Sequence, residues 1–230
     1  MYIYGKNVAK QMIEDHLKIK KAFIYKNLKD QEMILALKNT NIPIQYLEKY
    51  ELDKMVDGNH QGIILSVSDY QYASIDEIIS DPRDFIVILD HIEDPHNFGA
   101  IIRTCEAAGV SGIVIPKDRS VEVNSTVIKV STGAINHVKI TQVPNLVRTI
   151  ELLKKEGYWI IGTDMEGTSY KEIDYTGKIA IVIGNEGFGM SRIVEKSCDF
   201  IASIPMRGTT NSLNASVATG IMIFEAISKR

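Results

Sequence analysis

From residue 85 onward the chain alternates short apolar runs with segments of helical periodicity. The apolar runs are predicted to be strands at residues 85–90, 112–116, 137–141, 158–164, 179–184 and 200–205. Helices are predicted at about 97–108, 122–132, 144–156, 189–197 and 212–228. Continuously apolar strands separated by helices are typical of a mostly parallel sheet that is covered on both faces. We therefore predict an α/β domain over residues 82–230.

The first part of the chain has a shorter-range pattern. Helices are predicted at 7–16, at 30–38 and within 47–59, and strands are predicted at 20–26, 42–48 and 62–67. The periodicity then weakens, and Asp81-Pro82 marks a turn. This pattern predicts a small α/β domain over residues 1–70 and a linker over 71–81.

The composition is that of an ordinary globular protein. Of the 230 residues, 45% are apolar and 24% are charged, and no apolar run approaches the roughly 20 residues that span a bilayer. The N-terminus lacks the apolar core of a signal peptide, so we expect a cytoplasmic protein without a membrane partner. Cys105 and Cys198 form no C-x-x-C pair, so we expect neither a disulfide framework nor a metal site.

The net charge of −3 gives no overall sign of nucleic-acid binding. The distribution is uneven, however, because five lysines lie close together in the first domain: Lys18, Lys20, Lys21, Lys26 and Lys29. Taken by itself, such a cluster is most simply a solvated face.

Three polar blocks that contain glycine follow apolar runs, within residues 85–104, 179–191 and 200–216. In open α/β sheets, ligands bind just beyond the carboxyl ends of the strands. Glycine permits close approach of the backbone, and Asn, Arg, Glu and Ser carry chemistry. We therefore predict that the three blocks form one composite active site.

In the first block, Asp94 and Asn97 are both natural helix caps, so capping alone is one interpretation of Asn97. Arg103 lies within the following helix, which must pack on the sheet. Its guanidinium group there needs an acceptor, either a carboxylate or a phosphate. For Arg103 taken alone, a structural and a functional role remain open.

The second and third blocks carry further candidates. Glu186 lies between glycines, where it is either a paired structural carboxylate or part of a site, and the block lacks the G-x-G-x-x-G order of a dinucleotide fingerprint. One polar residue would suffice to cap the last helix, yet the third block has five: Thr209, Thr210, Asn211, Ser212 and Asn214.

Together the blocks resemble the three signature motifs of the SPOUT-class SpoU/TrmH RNA 2′-O-ribose methyltransferases. The matching sequences are N-F-G-A-I-I-R-T at 97–104, G-N-E-G-F-G at 184–189 and I-P-M-R-G-x-x-x-S-L-N-A-S at 204–216. The resemblance covers the chain from about residue 82, and the first 70 residues resemble the small ribosomal-protein-like substrate-binding domain of many members. Within the family, the chain is most similar to the group that methylates a guanosine ribose of 23S ribosomal RNA.

The resemblance implies a parallel sheet with a deep trefoil knot, a homodimer formed through the C-terminal domain, and an active site completed across its interface. It also implies S-adenosylmethionine as cofactor, held at Thr163, Gly184, Asn185, Ile204, Met206 and Leu213. The residues that match the family's catalytic set are Asn97, Arg103, Glu186, Ser212 and Asn214.

By the same resemblance, Arg103 acts on the ribose hydroxyl either as a general base or as an electrostatic clamp, and Glu186 orients it. Arginine is in general a poor base, because its pKa lies above ~12. Ser212 and Asn214 are expected to hold the ribose or a phosphate, and Lys18, Lys20 and Lys21 to contact RNA.

The substrate class follows from the first domain, which is typical of family members that act on large-subunit ribosomal RNA. Ribosomal RNA is therefore favoured over tRNA as the partner. The alternatives are a tRNA guanosine 2′-O-methyltransferase and an inactive protein that binds RNA or assists ribosome assembly. A nucleotide-dependent oxidoreductase is disfavoured, because the phosphate-binding fingerprint is missing.

Overall fold

A computed structural model describes residues 1–14, 18–209 and 212–230. The last residues of the first predicted helix, and Thr210 and Asn211 of the polar loop, lie outside these ranges. The chain divides into two compact units, Met1–Gln71 with Val123–Asn136, and Tyr72–Glu122 with His137–Arg230. The domain limits at residues 70 and 81 stay a prediction.

The first unit contains a four-stranded sheet with the order β1-β4-β2-β3. Its strands are β1 (Tyr2–Tyr4), β2 (Ile19–Tyr25), β3 (Ile44–Leu47) and β4 (Ile63–Val67). Its helices are α1 (Lys6–Glu14), α2 (Gln31–Asn39), α3 (Lys49–Asp53) and α6 (Ser125–Ser131), with a 3₁₀ turn at Ala134–Asn136. Strand β4 runs antiparallel to β1 and β2, whereas β2 and β3 are parallel. The three predicted strands are confirmed, and the short β1 was not predicted.

The core of the first unit follows from alternation along the strands. Ala22 and Ile24 of β2 and Ile63 and Leu65 of β4 are fully buried, and they pack in one cluster with Leu37 of α2. Alternate residues of a strand point to the same face, so this face is the one that the helix covers.

The second unit is built on a six-stranded sheet with the order β10-β8-β9-β5-β6-β7, in which every pair is parallel. Its strands are β5 (Phe85–Leu89), β6 (Gly112–Pro116), β7 (Lys139–Val143), β8 (Trp159–Ser169), β9 (Ile179–Ile183) and β10 (Phe200–Ser203). Its helices are α4 (Ile75–Ile79), α5 (Pro95–Ala107), α7 (Leu146–Lys155), α8 (Arg192–Lys196) and α9 (Ala215–Ser228). All five residues of the central strands β5 and β9 are buried. The predicted parallel α/β fold is confirmed, and the knot stays a prediction.

The pairing of strand β8 with β10 is interrupted, and the interruption affects the site. Phe200 and Ile201 pair with Ile161 and Gly162, but the next residue of β10 pairs with Thr168. Residues 163–167 of β8 therefore have no partner on β10, and they leave the regular ladder at the carboxyl end of the sheet. The predicted strand over 158–164 was too short, because Asp164-Met165-Glu166-Gly167 lacks the alternation that would have indicated its continuation.

Helix α4 lies within the predicted linker. Ser74 and Glu77 form a reciprocal capping box at its start, and Ile78 is fully buried against the core of the second unit. A single turn buried through one side chain produces too little periodicity to be recognised in the sequence. Within the ranges described above, no helix is both long enough and apolar enough to cross a membrane.

Candidate active site

Helix α5 begins directly after strand β5, and Asp94 fixes its start. The Asp94 carboxylate accepts the backbone N–H groups of His96 at 3.1 Å and of Asn97 at 3.3 Å, and Pro95 occupies the first helical position. Asp94 is therefore the cap, and the side chain of Asn97 is available for another contact. Asn97 is only 7% exposed, so its amide group needs partners within the protein.

Glu186 joins the three polar blocks through one carboxylate oxygen. Its Oε1 accepts the Nδ2 groups of Asn97 at 2.5 Å and of Asn214 at 2.7 Å, and the backbone N–H of Ala215 at 3.2 Å. Asn214 Nδ2 also donates to Asn97 Oδ1 at 2.9 Å. Charge-assisted bonds to a carboxylate are stronger than neutral ones. We call Asn97, Glu186 and Asn214 the carboxylate–amide cluster.

Asn214 has a second function at the start of helix α9. Its Oδ1 accepts the backbone N–H and the hydroxyl group of Ser216, at 3.0 Å and 2.6 Å. One amide side chain therefore caps α9 with its oxygen and binds Glu186 with its nitrogen, so the helix start is fixed relative to the cluster.

The loop that carries Glu186 is a closed turn. The backbones of Asn185 and Gly189 exchange two hydrogen bonds of 2.9 Å and 2.8 Å, and Asn185 Oδ1 accepts the N–H of Gly187 at 2.8 Å. Asn185 Nδ2 in turn donates to the carbonyl oxygen of His91 at 2.7 Å, so the turn is attached to the end of strand β5. We call residues 185–189 the glycine turn.

Asp90 and His91 support the glycine turn, and the sequence analysis did not single them out. Asp90 is buried, accepts the N–H of Ser191 at 2.7 Å, and pairs with the imidazole of His91. His91 has a φ of 60°, in the left-handed region that few non-glycine residues adopt. A signal was present in the sequence, because Asp90 is a carboxylate placed directly at the end of a buried strand.

A cavity of about 410 Å³ opens beside the cluster. Its described lining includes all six residues predicted to hold the cofactor, namely Thr163, Gly184, Asn185, Ile204, Met206 and Leu213. Asp164 and Met165, from the segment of β8 that leaves the ladder, line it as well. The volume lies in the ordinary range of small-molecule sites, roughly 300–1,000 Å³.

Two of the predicted catalytic residues, Ser212 and Arg103, lie outside the carboxylate–amide cluster. Ser212 is exposed and lines the cavity. Arg103 is exposed on α5, about 9 Å along the helix axis from Asn97. Among the described residues, Glu186 bonds to amide groups and not to Arg103, so the expected orientation of Arg103 by Glu186 is not found.

The lysines predicted to bind RNA lie in the first unit. Lys18 and Lys20 are exposed. Lys21 is half-buried, and its Nζ lies 4.9 Å from the centre of the Phe23 ring. These positions leave charged groups at the surface but do not by themselves identify a ligand.

Both cysteines are free thiols. Burial raises the pKa of Cys105 well above its ordinary value and the pKa of Cys198 to about 12. In both cases burial disfavours the thiolate, which is the reactive form of cysteine.

Comparison with known proteins gives matches over both units. Residues 84–224 match the SpoU rRNA methylase family, and residues 2–73 match the family described as RNA 2′-O ribose methyltransferase substrate binding. The chain is 42% identical over 238 residues to YacO of Bacillus subtilis (strain 168), a candidate TrmH family tRNA/rRNA methyltransferase. That alignment covers 100% of this chain and 96% of YacO.

Two solved structures are similar over nearly the whole chain. The SpoU methyltransferase AviRb from Streptomyces viridochromogenes, in complex with AdoMet, has a TM-score of 0.84 at 22% identity, covering 100% of this chain and 89% of AviRb. An AdoMet-bound rRNA methyltransferase from Sinorhizobium meliloti has a TM-score of 0.77 at 25% identity, covering 98% and 85%. At 22% identity, the first likeness shows the fold.

Gly184 offers a direct test of how tightly the cavity wall is packed. A Cβ at Gly184 would lie 2.3 Å from the carbonyl carbon of Gly189 and 2.4 Å from the nitrogen of Met190, both backbone atoms. We predict that Gly184→Ala lowers the free energy of unfolding by about 1–3 kcal/mol. The measurement is urea unfolding followed by the fluorescence of Trp159, the sole tryptophan, which lies in the second unit.

The matched control is Gly187→Ala in the same turn. The nearest atom to its Cβ would be Asn185 Oδ1 at 3.5 Å, an ordinary contact, so we expect a change within about 0.5 kcal/mol. Equal effects of the two substitutions would contradict the close packing of Gly184 against Gly189.

Proposed function

The chain belongs to the SpoU rRNA methylase family and is an RNA methyltransferase, and from this premise we propose that it methylates a ribose 2′-hydroxyl in structured RNA with S-adenosylmethionine. The observation that carries the proposal is the carboxylate–amide cluster of Asn97, Glu186 and Asn214 beside the cavity. It places hydrogen-bonding groups from all three motifs next to a pocket of the size of a cofactor.

The cavity lining fits S-adenosylmethionine. Ile204, Leu213 and Ala218 offer apolar surface for the adenine ring, and the carboxylates of Asp164 and Glu186 offer negative charge for a cationic sulfonium. We propose that the cofactor is held by Thr163, Gly184, Asn185, Ile204, Met206 and Leu213. Gly184 lines the cavity with backbone atoms alone, because the place of a Cβ is taken by Gly189 and Met190.

When bound, S-adenosylmethionine supplies a methyl group attached to a positively charged sulfur. The ribose 2′-oxygen would take this methyl group from the sulfur as its own proton passes to a base or to solvent. A hydroxyl is a weak nucleophile, so the protein must align it and stabilise its developing negative charge. We propose that Ser212 holds the ribose or an adjacent phosphate in this alignment, and that Asn214, whose amide hydrogens bond to Glu186 and Asn97, contributes by fixing the loop that carries Ser212.

We propose that Arg103 is an electrostatic clamp and not the general base. Its side chain is exposed on α5, and within the described ranges it makes no hydrogen bond to Glu186. A guanidinium group binds a phosphate or an alkoxide through two parallel N–H bonds, which suits an exposed side chain that meets RNA. Glu186 then positions Asn97 and Asn214 and has no direct role in orienting Arg103.

We also propose that the protein acts as a homodimer through its second unit. Helix α9 packs on α5 and carries Val217 and Phe224, 50% and 51% exposed, with Ile221 on the same side between them. An apolar stripe of this kind is unfavourable in water unless another surface covers it. Dimerisation would also bring a second Arg103 to the assembly.

For the substrate, we propose a guanosine of 23S ribosomal RNA, with a tRNA guanosine as the second candidate. The match of residues 2–73 to a substrate-binding family supports an RNA that is recognised by the first unit. The near-complete coverage by an rRNA methyltransferase from Sinorhizobium meliloti supports ribosomal RNA. Lys18, Lys20 and Lys21 are the proposed phosphate contacts, and cellular RNA of either class suits the expected cytoplasmic location.

The function is tested by mapping 2′-O-methylation in total RNA from cells with and without the gene. We expect one guanosine of 23S ribosomal RNA to lose its methyl group in the deletion strain and to regain it with a plasmid copy. Loss of a methyl group from tRNA instead would favour the second candidate. Identical maps in both strains would refute the proposed activity.

The role of Arg103 is tested by Arg103→Lys, with the exposed Arg148→Lys as control. If Arg103 is a clamp, kcat/KM for total RNA from the deletion strain should fall at least tenfold in Arg103→Lys, because lysine keeps the positive charge but lacks the paired N–H donors of the guanidinium group. The pH–rate profile should keep its shape. The control should keep the activity of the unsubstituted protein. Near-normal activity of Arg103→Lys would rule out a role for the paired N–H donors of the guanidinium group. A shift of the ascending limb of the pH–rate profile, where a base loses its proton, would identify Arg103 as a base.

A further inference from the structure

Phe188 is the most exposed large apolar side chain of the described residues, at 94%. It lies between Gly187 and Gly189 at the tip of the glycine turn, two positions after Glu186. A phenylalanine ring in full contact with water is unfavourable, and such surface marks an interaction site when it is grouped with other apolar surface.

The ring is carried by a fixed backbone. The paired hydrogen bonds between Asn185 and Gly189 close the turn, and the bond from Asn185 to the carbonyl of His91 attaches it to β5. Glu186 is held by three donors from α5 and α9. The backbone on both sides of Phe188 is therefore anchored, so the ring extends from a fixed point two residues after Glu186.

Phe188 is one of three exposed apolar side chains that line the same cavity. The others are Met165, 66% exposed on the part of β8 that leaves the ladder, and Met206, 39% exposed after β10 and also a member of the proposed cofactor set, so that it lies where the two subsites would meet. We call Phe188, Met165 and Met206 the apolar rim. A methionine sulfur forms favourable contacts with aromatic rings, and its flexible side chain adapts to flat surfaces of different outline.

The covalent structure of a nucleotide indicates which part of the RNA would contact the apolar rim. The base is attached to the 1′-carbon of the ribose, next to the 2′-carbon that carries the hydroxyl group. A ribose held at the carboxylate–amide cluster therefore has its base close to the hydroxyl, and Phe188 is two residues from Glu186. An apolar, partly aromatic surface at this distance suits the face of a base, not a phosphate.

We propose that the apolar rim is a nucleobase subsite, in which Phe188 stacks on the base of the target nucleotide after that base has left its helical stack. The inference rests on the proposed methylation of RNA and adds to it the surface that positions the target. Stacking on an aromatic ring tolerates any base. The subsite therefore explains positioning of the nucleotide, and the choice of base must come from other contacts.

The first test compares Phe188→Ala, Phe188→Tyr and Phe188→Trp in methyl transfer to total RNA from the deletion strain. Because a base–aromatic stack contributes roughly 1–3 kcal/mol, kcat/KM for RNA should fall about 5- to 150-fold in Phe188→Ala and return to near normal with tyrosine or tryptophan. The affinity for S-adenosylhomocysteine, measured by calorimetry, should change less than twofold. Ile193→Ala is the control, because Ile193 is 69% exposed on α8 and outside the described cavity lining.

The outcomes separate the competing roles of the ring. An equal loss of S-adenosylhomocysteine affinity would place Phe188 over the cofactor, and a change in oligomeric state by sedimentation would place it at a subunit interface. Either result, or an unchanged kcat/KM for RNA, would overturn the nucleobase subsite. The unsubstituted protein in the same assay tests the proposed function separately, because its activity does not depend on the comparison of variants.

A second measurement needs no catalysis. In the Trp159→Phe/Phe188→Trp double variant the only indole is at the rim, and stacking on a base should quench its fluorescence when total RNA is added. S-adenosylhomocysteine alone should leave the fluorescence unchanged. Quenching by S-adenosylhomocysteine without RNA, or no quenching by RNA that binds, would contradict the subsite even if methyl transfer could not be detected.

Discussion

The site depends on one carboxylate oxygen, Oε1 of Glu186, which accepts hydrogen bonds from α5 through Asn97 and from the start of α9 through Asn214 and Ala215. These segments are far apart in the chain, separated by 89 residues on one side and by 28 on the other. Buried donors without a partner are costly, so loss of the carboxylate would deprive two buried donors, the Asn97 side-chain amide and the Ala215 N–H, of their acceptor. A single charged group therefore links the three motifs.

The surrounding backbone makes this junction possible. Parallel strands β5, β8, β9 and β10 end at the same edge of the sheet, so the loops that follow them meet there. Asp90 and Asn185 fasten the glycine turn to the end of β5, and Gly184 lets that turn approach Gly189 closely. Residues 163–165, in the segment that leaves the ladder, form another wall. The cavity and the apolar rim thus share one hydrogen-bonded support.

Much of this arrangement could be predicted from the sequence, because buried parallel strands are continuous apolar runs and the three motifs follow them. The sequence pattern could not reveal which acceptor Asn97 and Asn214 share, since that contact joins positions that are distant along the chain. The expected orientation of Arg103 by Glu186 stays a prediction, because the described bonds of Glu186 Oε1 are all to amide groups. Helix α4 and strand β1 escaped recognition because each is shorter than two periods of its own pattern. The role of Asp90 was not predicted, because the residue was taken only as the end of an apolar run.

The most direct test of the account is a double-mutant cycle on Glu186→Ala and Asn97→Ala, measured by urea unfolding with Trp159 fluorescence. If Glu186 Oε1 joins the motifs, the two substitutions remove the same interaction, and their coupling free energy should be about 1 kcal/mol or more. A control cycle pairs Glu186→Ala with Asn145→Ala, the cap of α7, and should be additive within about 0.5 kcal/mol. Additivity of Glu186 and Asn97 within the same limit would contradict the shared carboxylate as the constraint that holds the site together.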